Sequence, residues 1–298
     1  MNQISLSPLG FGCASVMGKV SRTDSLRAMA VAWDHGITHF DVARSYGFGR
    51  AESVLGAFAS DKRAKVTITT KFGIVPPALT WKHRLAMPVM RRLSRLAPSL
   101  QKHARAKSAS LLAQQRFDLA YAQQCLARSL AELRTDYLDI YLLHEPPLLV
   151  GDELSALYAF LDDHVSTGVI RAWGLAYRTA ADLQRLPAGR SSVCQVEGNA
   201  MTLPALSSSW PDPRQRLVTR PFGGGAMGAS ARRDATVQQD GRSDAVMDAL
   251  GLANALAGPG GSVVCAMFSE RHIRDNAARM QRLQSDQSLQ EQYRRMLP

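Results

Sequence analysis

Short apolar runs recur along this chain and alternate with stretches in which apolar residues return every third or fourth position. The first pattern fits buried parallel strands, the second amphipathic helices. In order, the predicted strands are Leu9–Cys13, Thr38–Asp41, Lys65–Lys71, Tyr137–Leu143, Ile170–Ala176, Val193–Val196, Leu217–Thr219 and Ser262–Met267. A helix is predicted from Thr23, a suitable N-cap, to a stop at Gly36. Further helices are predicted at Ala51–Phe58, Leu119–Leu133, Leu154–Val165, Ala180–Leu186, Asp244–Leu256 and Glu270–Leu283. Leu119, Ala122, Leu126, Leu130 and Leu133 share one helix face, and the run Gly258-Pro259-Gly260-Gly261 ends the helix before it.

Strands alternating with helices, with no composition break, predict a closed (β/α)8 TIM barrel over residues 1–298 as a single domain. One βα loop, residues 73–117, is expanded into a long excursion. The competing architecture is an open doubly wound sheet. That fold places G-x-G-x-x-G after its first strand, whereas Gly10-Phe11-Gly12-Cys13-Ala14-Ser15 lacks the third glycine.

Charge changes this picture less than its total suggests. The formal net charge is +11, but residues 76–117 hold nine basic residues and no acidic one. The rest of the chain is close to neutral, which argues against a nucleic-acid-binding face. Three readings of the excursion stay open: a lid over the barrel mouth, a surface for an acidic partner or anionic membrane, and a soluble insertion. No apolar stretch reaches the roughly 18 residues that a membrane span needs. Cys13, Cys125, Cys194 and Cys265 are isolated in the sequence and read as reduced core thiols, which fits a cytoplasmic protein. The histidines show no metal-ligand spacing, so no metal site is expected.

The candidate chemistry lies at the strand ends. Asp41, Lys71 and His144 close the second, third and fourth predicted strands, and Tyr46 follows Asp41 in the next loop. Each alone has a structural reading. Together, at the mouth where such barrels build their sites, they form an acid–base set. A tyrosine titrates near pH ~10 unless tuned, and a nearby ammonium favours the phenolate and lowers that value. Asp41 would keep Lys71 charged, and His144 would orient a carbonyl oxygen. These groups can polarise and protonate a carbonyl but cannot supply a hydride, so a nicotinamide cofactor is implied.

Phe40-Asp41-Val42-Ala43-Arg44-Ser45-Tyr46-Gly47, Thr69-Thr70-Lys71 and Asp136-Tyr137-Leu138-Asp139-Ile140-Tyr141-Leu142-Leu143-His144 resemble, in order, the catalytic segments of the aldo-keto reductases. Ile170-Arg171-Ala172-Trp173-Gly174-Leu175, Gln195-Val196-Glu197-Gly198-Asn199 and Ser269-Glu270-Arg271-His272-Ile273-Arg274-Asp275-Asn276 resemble its fifth strand, sixth strand and last cofactor-binding helix. The resemblance implies NADP(H)-linked carbonyl reduction or the reverse, with NAD(H) as the other candidate cofactor. It implies Tyr46 as general acid, with Asp41 and Lys71 tuning it and His144 orienting a small carbonyl or sugar substrate. Gln195 would hold the nicotinamide carboxamide, and Ser269, Arg271, His272 and Asn276 would face the adenosine end. Arg220 and Phe222, after the seventh strand, are further candidates for cofactor contact.

The chain also departs from that family. Ala176-Tyr177 stand where Ser-Asn is usual, Thr219 where an aromatic is frequent, Ala266 where a lysine is frequent and His272 where an arginine is common. The hairpin that closes the family's barrel floor is shortened here. Two other functions stay open on these grounds. One is an aldose dehydrogenase working in the oxidative direction. The other is a barrel that senses a nucleotide or binds a partner without turnover. The sequence leaves oligomeric state undecided.

Overall fold

The computed structural model describes residues 3–77, 114–147, 152–177, 191–199, 215–223 and 239–297. Eight parallel strands close into a barrel: β1 (Leu9–Gly12), β2 (His39–Asp41), β3 (Thr67–Phe72), β4 (Leu138–His144), β5 (Ile170–Tyr177), β6 (Val193–Glu197), β7 (Gln215–Thr219) and β8 (Ser262–Cys265). Each strand pairs with the next, and β8 returns to β1 through Leu9 opposite Val263. The described helices are α1 (Arg22–Asp34), α2 (Ala51–Ala59), α3 (Leu119–Leu133), α4 (Asp152–Ser166), α5 (Gln239–Ala257), α6 (Glu270–Ser285) and α7 (Gln287–Arg295). None of them is long and apolar enough to cross a membrane.

The alternation of side chains along each strand divides the core in two. Ile140, Leu142, Ala172, Ala176, Val193 and Leu217 fill the barrel interior. Phe11, Phe40, Phe72, Tyr141, Leu143 and Val218 belong to the larger cluster between strands and helices. Ile4 joins the interior cluster from the segment before β1, where described residues 3–8 form no strand. Its backbone is held by Gln215, whose Oε1 accepts from the Ile4 N–H at 3.2 Å and whose Nε2 donates to the Ile4 carbonyl at 2.6 Å.

Most predicted boundaries lie within two residues of those observed, and Leu119–Leu133 coincides with α3. The helix after β1 is capped one residue ahead of its start by Ser21, not by Thr23; the Ser21 hydroxyl accepts from the Asp24 N–H at 3.1 Å. α5 starts five residues before the predicted Asp244. α7 has no counterpart among the predicted helices, because its single buried residue, Tyr293, leaves no apolar stripe to read. The predicted helix Ala180–Leu186 and the interior of the excursion, 78–113, lie outside the described residues.

The base of the excursion is well defined. Ile74 and Gln115 form an antiparallel bridge just past β3. The Val75 N–H donates to the Gln114 carbonyl at 2.9 Å, and the Arg116 N–H to the Gly73 carbonyl at 2.8 Å. Gln115 Nε2 also donates to the Glu145 carbonyl at 2.8 Å, which ties this neck to the end of β4.

Polarity inside the barrel is paired. His39, fully buried on β2, is held between Ser262 Oγ and Thr69 Oγ1, each at 2.9 Å. A Cβ on Gly10 would sit 2.7 Å from His39 Nδ1, so the imidazole, rather than a phosphate, accounts for that glycine. Burial lowers the His39 pKa from 6.5 to about 4, with Asp41 opposing and Lys71 assisting. The unfolded chain therefore binds more protons between those two values. Stability from His39 is complete above about pH 6.5 and lost by about pH 4, a change of roughly 3 kcal/mol. Urea unfolding across that range should show the fall, and a His39→Leu variant should flatten that part of the profile.

Candidate active site

The three strand-end residues and Tyr46 converge at the C-terminal mouth, as the sequence predicts. Asp41 ends β2 in register with Thr69 of β3, and Lys71 follows two residues further along β3; both are buried. Lys71 Nζ donates to Asp41 Oδ1 at 2.7 Å, to Oδ2 at 2.8 Å and to the Val42 carbonyl at 2.9 Å. Burial works to discharge this ammonium, and Asp41, followed by Tyr46, more than reverses it; the Lys71 pKa is raised.

Tyr46 lies in a short 3-10 turn, Tyr46–Phe48, that follows directly from the Asp41 loop. The Tyr46 N–H donates to the Ala43 carbonyl, and the Arg44 N–H to the Lys71 carbonyl, both at 3.0 Å. Gly47 has φ +59°, and a Cβ there would come within 2.4 Å of the Val16 carbonyl, so glycine is required beside the tyrosine. Lys71 Nζ lies 5.1 Å from the centroid of the Tyr46 ring. The His144 ring meets Tyr46 edge-on, with centroids 5.8 Å apart and an 83° interplanar angle.

One sequence expectation changes sign. Lys71 does pull the Tyr46 phenol down, as its charge demands, and Arg220 adds to that pull. Burial is stronger, Asp41 reinforces it, and the Tyr46 pKa is raised above its ordinary value of 10. Sequence reasoning weighed the ammonium and could not weigh the desolvation. The fully buried Cys13 thiol, just past β1, is also pushed up, by burial first and then by Asp41.

Gln195 is buried on β6, at the same mouth, with its Nε2 donating to Asp41 Oδ2 at 2.7 Å. Ala176 is its register partner on β5 and presents only a methyl group to the interior. Tyr177, next along β5, packs in the outer cluster between strands and helices. Arg220 sits at the end of β7 with φ +53° and donates to Glu197 Oε1 at 2.8 Å. Thr219 Oγ1 donates to the Val196 carbonyl at 3.1 Å, and Phe222 packs against the core. Ser269 caps α6 without a side-chain hydrogen bond. Arg271, His272 and Arg274 are exposed near that end, with Arg271 Nε 3.5 Å from Asp275. Asn276 is buried, and its Nδ2 donates to Met267 Sδ at 3.3 Å.

A second buried cluster lies behind the loop between Asp41 and Tyr46 and was missed from the sequence. Arg44 pairs with Glu52 of α2 and lies 3.1 Å from Glu132 of α3. Glu52 Oε1 also accepts from Thr70 Oγ1 at 2.6 Å and from Ser129 Oγ at 2.7 Å. This network ties the segment between Asp41 and Tyr46 to β3, α2 and α3. A signal did exist. Arg44 and Glu52 are charged residues set among apolar neighbours, Val42-Ala43 and Val54-Leu55, where burial without a partner would be prohibitive.

Among the described residues, no group of three histidine, cysteine or acidic side chains could hold a metal ion. What the mouth offers is a buried carboxylate–ammonium pair under a phenol, with an imidazole at the phenol's edge. That arrangement can position a carbonyl and exchange a proton with its oxygen.

The comparisons with known proteins bear on the family and the fold. A model of the aldo/keto reductase family matches residues 8–205. A D-threo-aldose 1-dehydrogenase of a Pseudomonas species is 27% identical over 69% of this chain and 64% of its own length. A 6-dehydroglucose reductase of Novosphingobium aromaticivorans is 26% identical over 85% of this chain and 77% of its own. Two further curated relatives are matched over 21% and 44% of their length, so the chain spans less than half of those proteins. An aldo-keto reductase of Klebsiella pneumoniae, solved in complex with NADPH, has the same fold, with a TM-score of 0.62 and 19% identity over 100% of this chain and 96% of that one.

Proposed function

The chain belongs to the aldo/keto reductase family, and from that premise we propose that it moves a hydride between NADP(H) and a small carbonyl or sugar substrate, with Tyr46 as the proton donor. The observation that carries this reading is the buried Lys71–Asp41 pair set beneath Tyr46, with His144 against the same ring.

The residues present fit such a cofactor. α6 begins with an N-cap that forms no side-chain bond, beside exposed Arg271, His272 and Arg274, which outnumber the one acidic residue of that turn, Glu270. That donor set suits a phosphate. Arg220 adds a cation on the Tyr46 side of the mouth. The bound cofactor supplies the hydride, chemistry no side chain can perform. The chain's own residues handle the proton. His144 orients the carbonyl oxygen towards Tyr46. As the C=O electrons move onto oxygen, Tyr46 Oη–H transfers its proton there, and an alcohol forms. Lys71 stabilises the phenolate left behind, and Asp41 keeps Lys71 protonated and in place.

Oxidation of a sugar hydroxyl is the second reading. It is favoured by the similarity to the D-threo-aldose 1-dehydrogenase, and it uses the same residues in reverse. Tryptophan-fluorescence titration with NADPH and, separately, NADH tests the premise shared by both directions. We expect saturable quenching, tighter for NADPH, because the exposed cations beside α6 favour an additional phosphate. Reduction of an aldehyde panel against NADP-linked oxidation of aldoses then separates the two. Cofactor binding with no turnover in either panel would assign the barrel a nucleotide-sensing role. The substitutions at Ala176, Tyr177, Thr219 and Ala266 motivate that outcome.

A further inference from the structure

In an eight-stranded barrel, β2 and β6 stand opposite each other, yet Asp41 and Gln195 are joined by a 2.7 Å hydrogen bond. The contact crosses the mouth of the interior. It is buried at both ends, at 3% exposure for Asp41 and 5% for Gln195. Ala176, beside Gln195, offers it no polar partner, and Leu217 on its other side offers none either. Asp41 Oδ2 thus receives both Lys71 and Gln195.

We propose that Gln195 acts as a positioning residue for the proton relay, fixing the Asp41 carboxylate from across the barrel so that Lys71 stays beneath Tyr46. This goes beyond the family resemblance, which assigns Gln195 to the cofactor, and it rests on the proposed role of Tyr46. A carboxylate that accepts from two donors at fixed angles cannot rotate away from its ammonium. The amide also turns the positive end of its dipole on Asp41, and so offsets part of the negative field that Asp41 exerts on the phenol. The charged or titratable groups acting on Tyr46 are Asp41 from β2, Lys71 from β3 and Arg220 after β7, with the His144 ring against it from β4.

The test replaces Gln195 with leucine, an apolar residue of similar bulk suited to a buried site. For Gln195→Leu we expect kcat for carbonyl reduction at saturating NADPH lower by about tenfold or more and the alkaline limb of the kcat profile moved to higher pH, beside whatever NADPH affinity is lost with the amide. The direction follows from Asp41: with less of its charge offset, it raises the phenol further. A tenfold or greater weakening of NADPH binding, with kcat and its pH profile unchanged, would overturn the proposal and leave Gln195 as a cofactor contact only.

A second readout needs no turnover. The Gln195 side-chain amide resonance, assigned by its disappearance in Gln195→Leu, should exchange slowly with solvent in the parent chain. Rapid exchange would overturn the Asp41 contact even if the chain turned over nothing. Slow exchange in a chain that reduces no carbonyl would retain the contact and overturn the reductase reading instead.

Discussion

Tyr46→Phe is expected to lower turnover by roughly 10²–10⁴-fold while leaving NADPH affinity unchanged. The substitution removes one atom of consequence. The ring that meets His144 edge-on and lies 5.1 Å from Lys71 Nζ is retained, so the packing of the mouth survives. What is lost is the hydroxyl proposed above as the proton donor. Steady-state kinetics on the preferred carbonyl, beside a cofactor titration, measures both quantities. Full activity in the variant would eliminate Tyr46 as the acid. The parent enzyme carries a linked signature. Burial holds the phenol protonated above its ordinary range, so reduction, which needs the acid form, should stay flat through neutral pH and fail only in alkali. Oxidation needs the phenolate and should climb across the same interval. A rate of reduction that halves near neutrality would point to a different titrating group.

Glu52→Leu is expected to cost roughly 3–5 kcal/mol of stability, a large share of the 5–15 kcal/mol typical of a folded domain. Glu52 is 1% exposed and receives Arg44, Thr70 and Ser129. Its loss leaves two buried hydroxyls without this acceptor and a buried guanidinium with only Glu132. Burial alone would pull the Arg44 pKa down; the two glutamates hold it up. The Arg44→Met, Glu52→Leu double variant should recover part of the loss, because it removes the stranded charge as well as its partner. Urea unfolding of the single and double variants decides this. A single variant as stable as the parent would mean that the ion pair contributes nothing net.

Why the barrel could be read from the sequence, and its wiring could not, follows from the range of the signals involved. A strand such as Leu138–His144 announces itself through its apolar run Ile140-Tyr141-Leu142-Leu143, and α3 through its apolar face; both are local. Asp41, Lys71 and His144 could be found because each terminates such a run. The Asp41–Gln195 contact spans 154 residues of sequence, and the anchoring of Ile4 by Gln215 spans 211. Neither has a spacing that distinguishes it from chance, since only barrel closure brings the partners together. The Tyr46 pKa shows the same limit. The charges acting on the phenol could be listed from the sequence, but their sum depends on burial, which is a property of the folded mouth. Ser21 and Thr23 are both residue types that cap helices, and only the backbone geometry chooses Ser21.

The neck at Ile74 and Gln115 has a consequence for how this barrel can change over evolutionary time. The chain leaves and re-enters through paired backbone hydrogen bonds, so among the described residues the excursion joins the closed sheet through a short antiparallel stem. Loop-closure entropy grows only as the logarithm of loop length, about 0.6 kcal/mol per doubling. Material between residues 75 and 114 can therefore be lengthened, recharged or exchanged at little thermodynamic penalty to the scaffold. The stem is tied to the first residue after His144 and lies just past the strand that carries Lys71. Changes beyond that stem can accumulate beside the strands that carry Lys71 and His144 without touching the backbone pairing that holds those strands in the barrel.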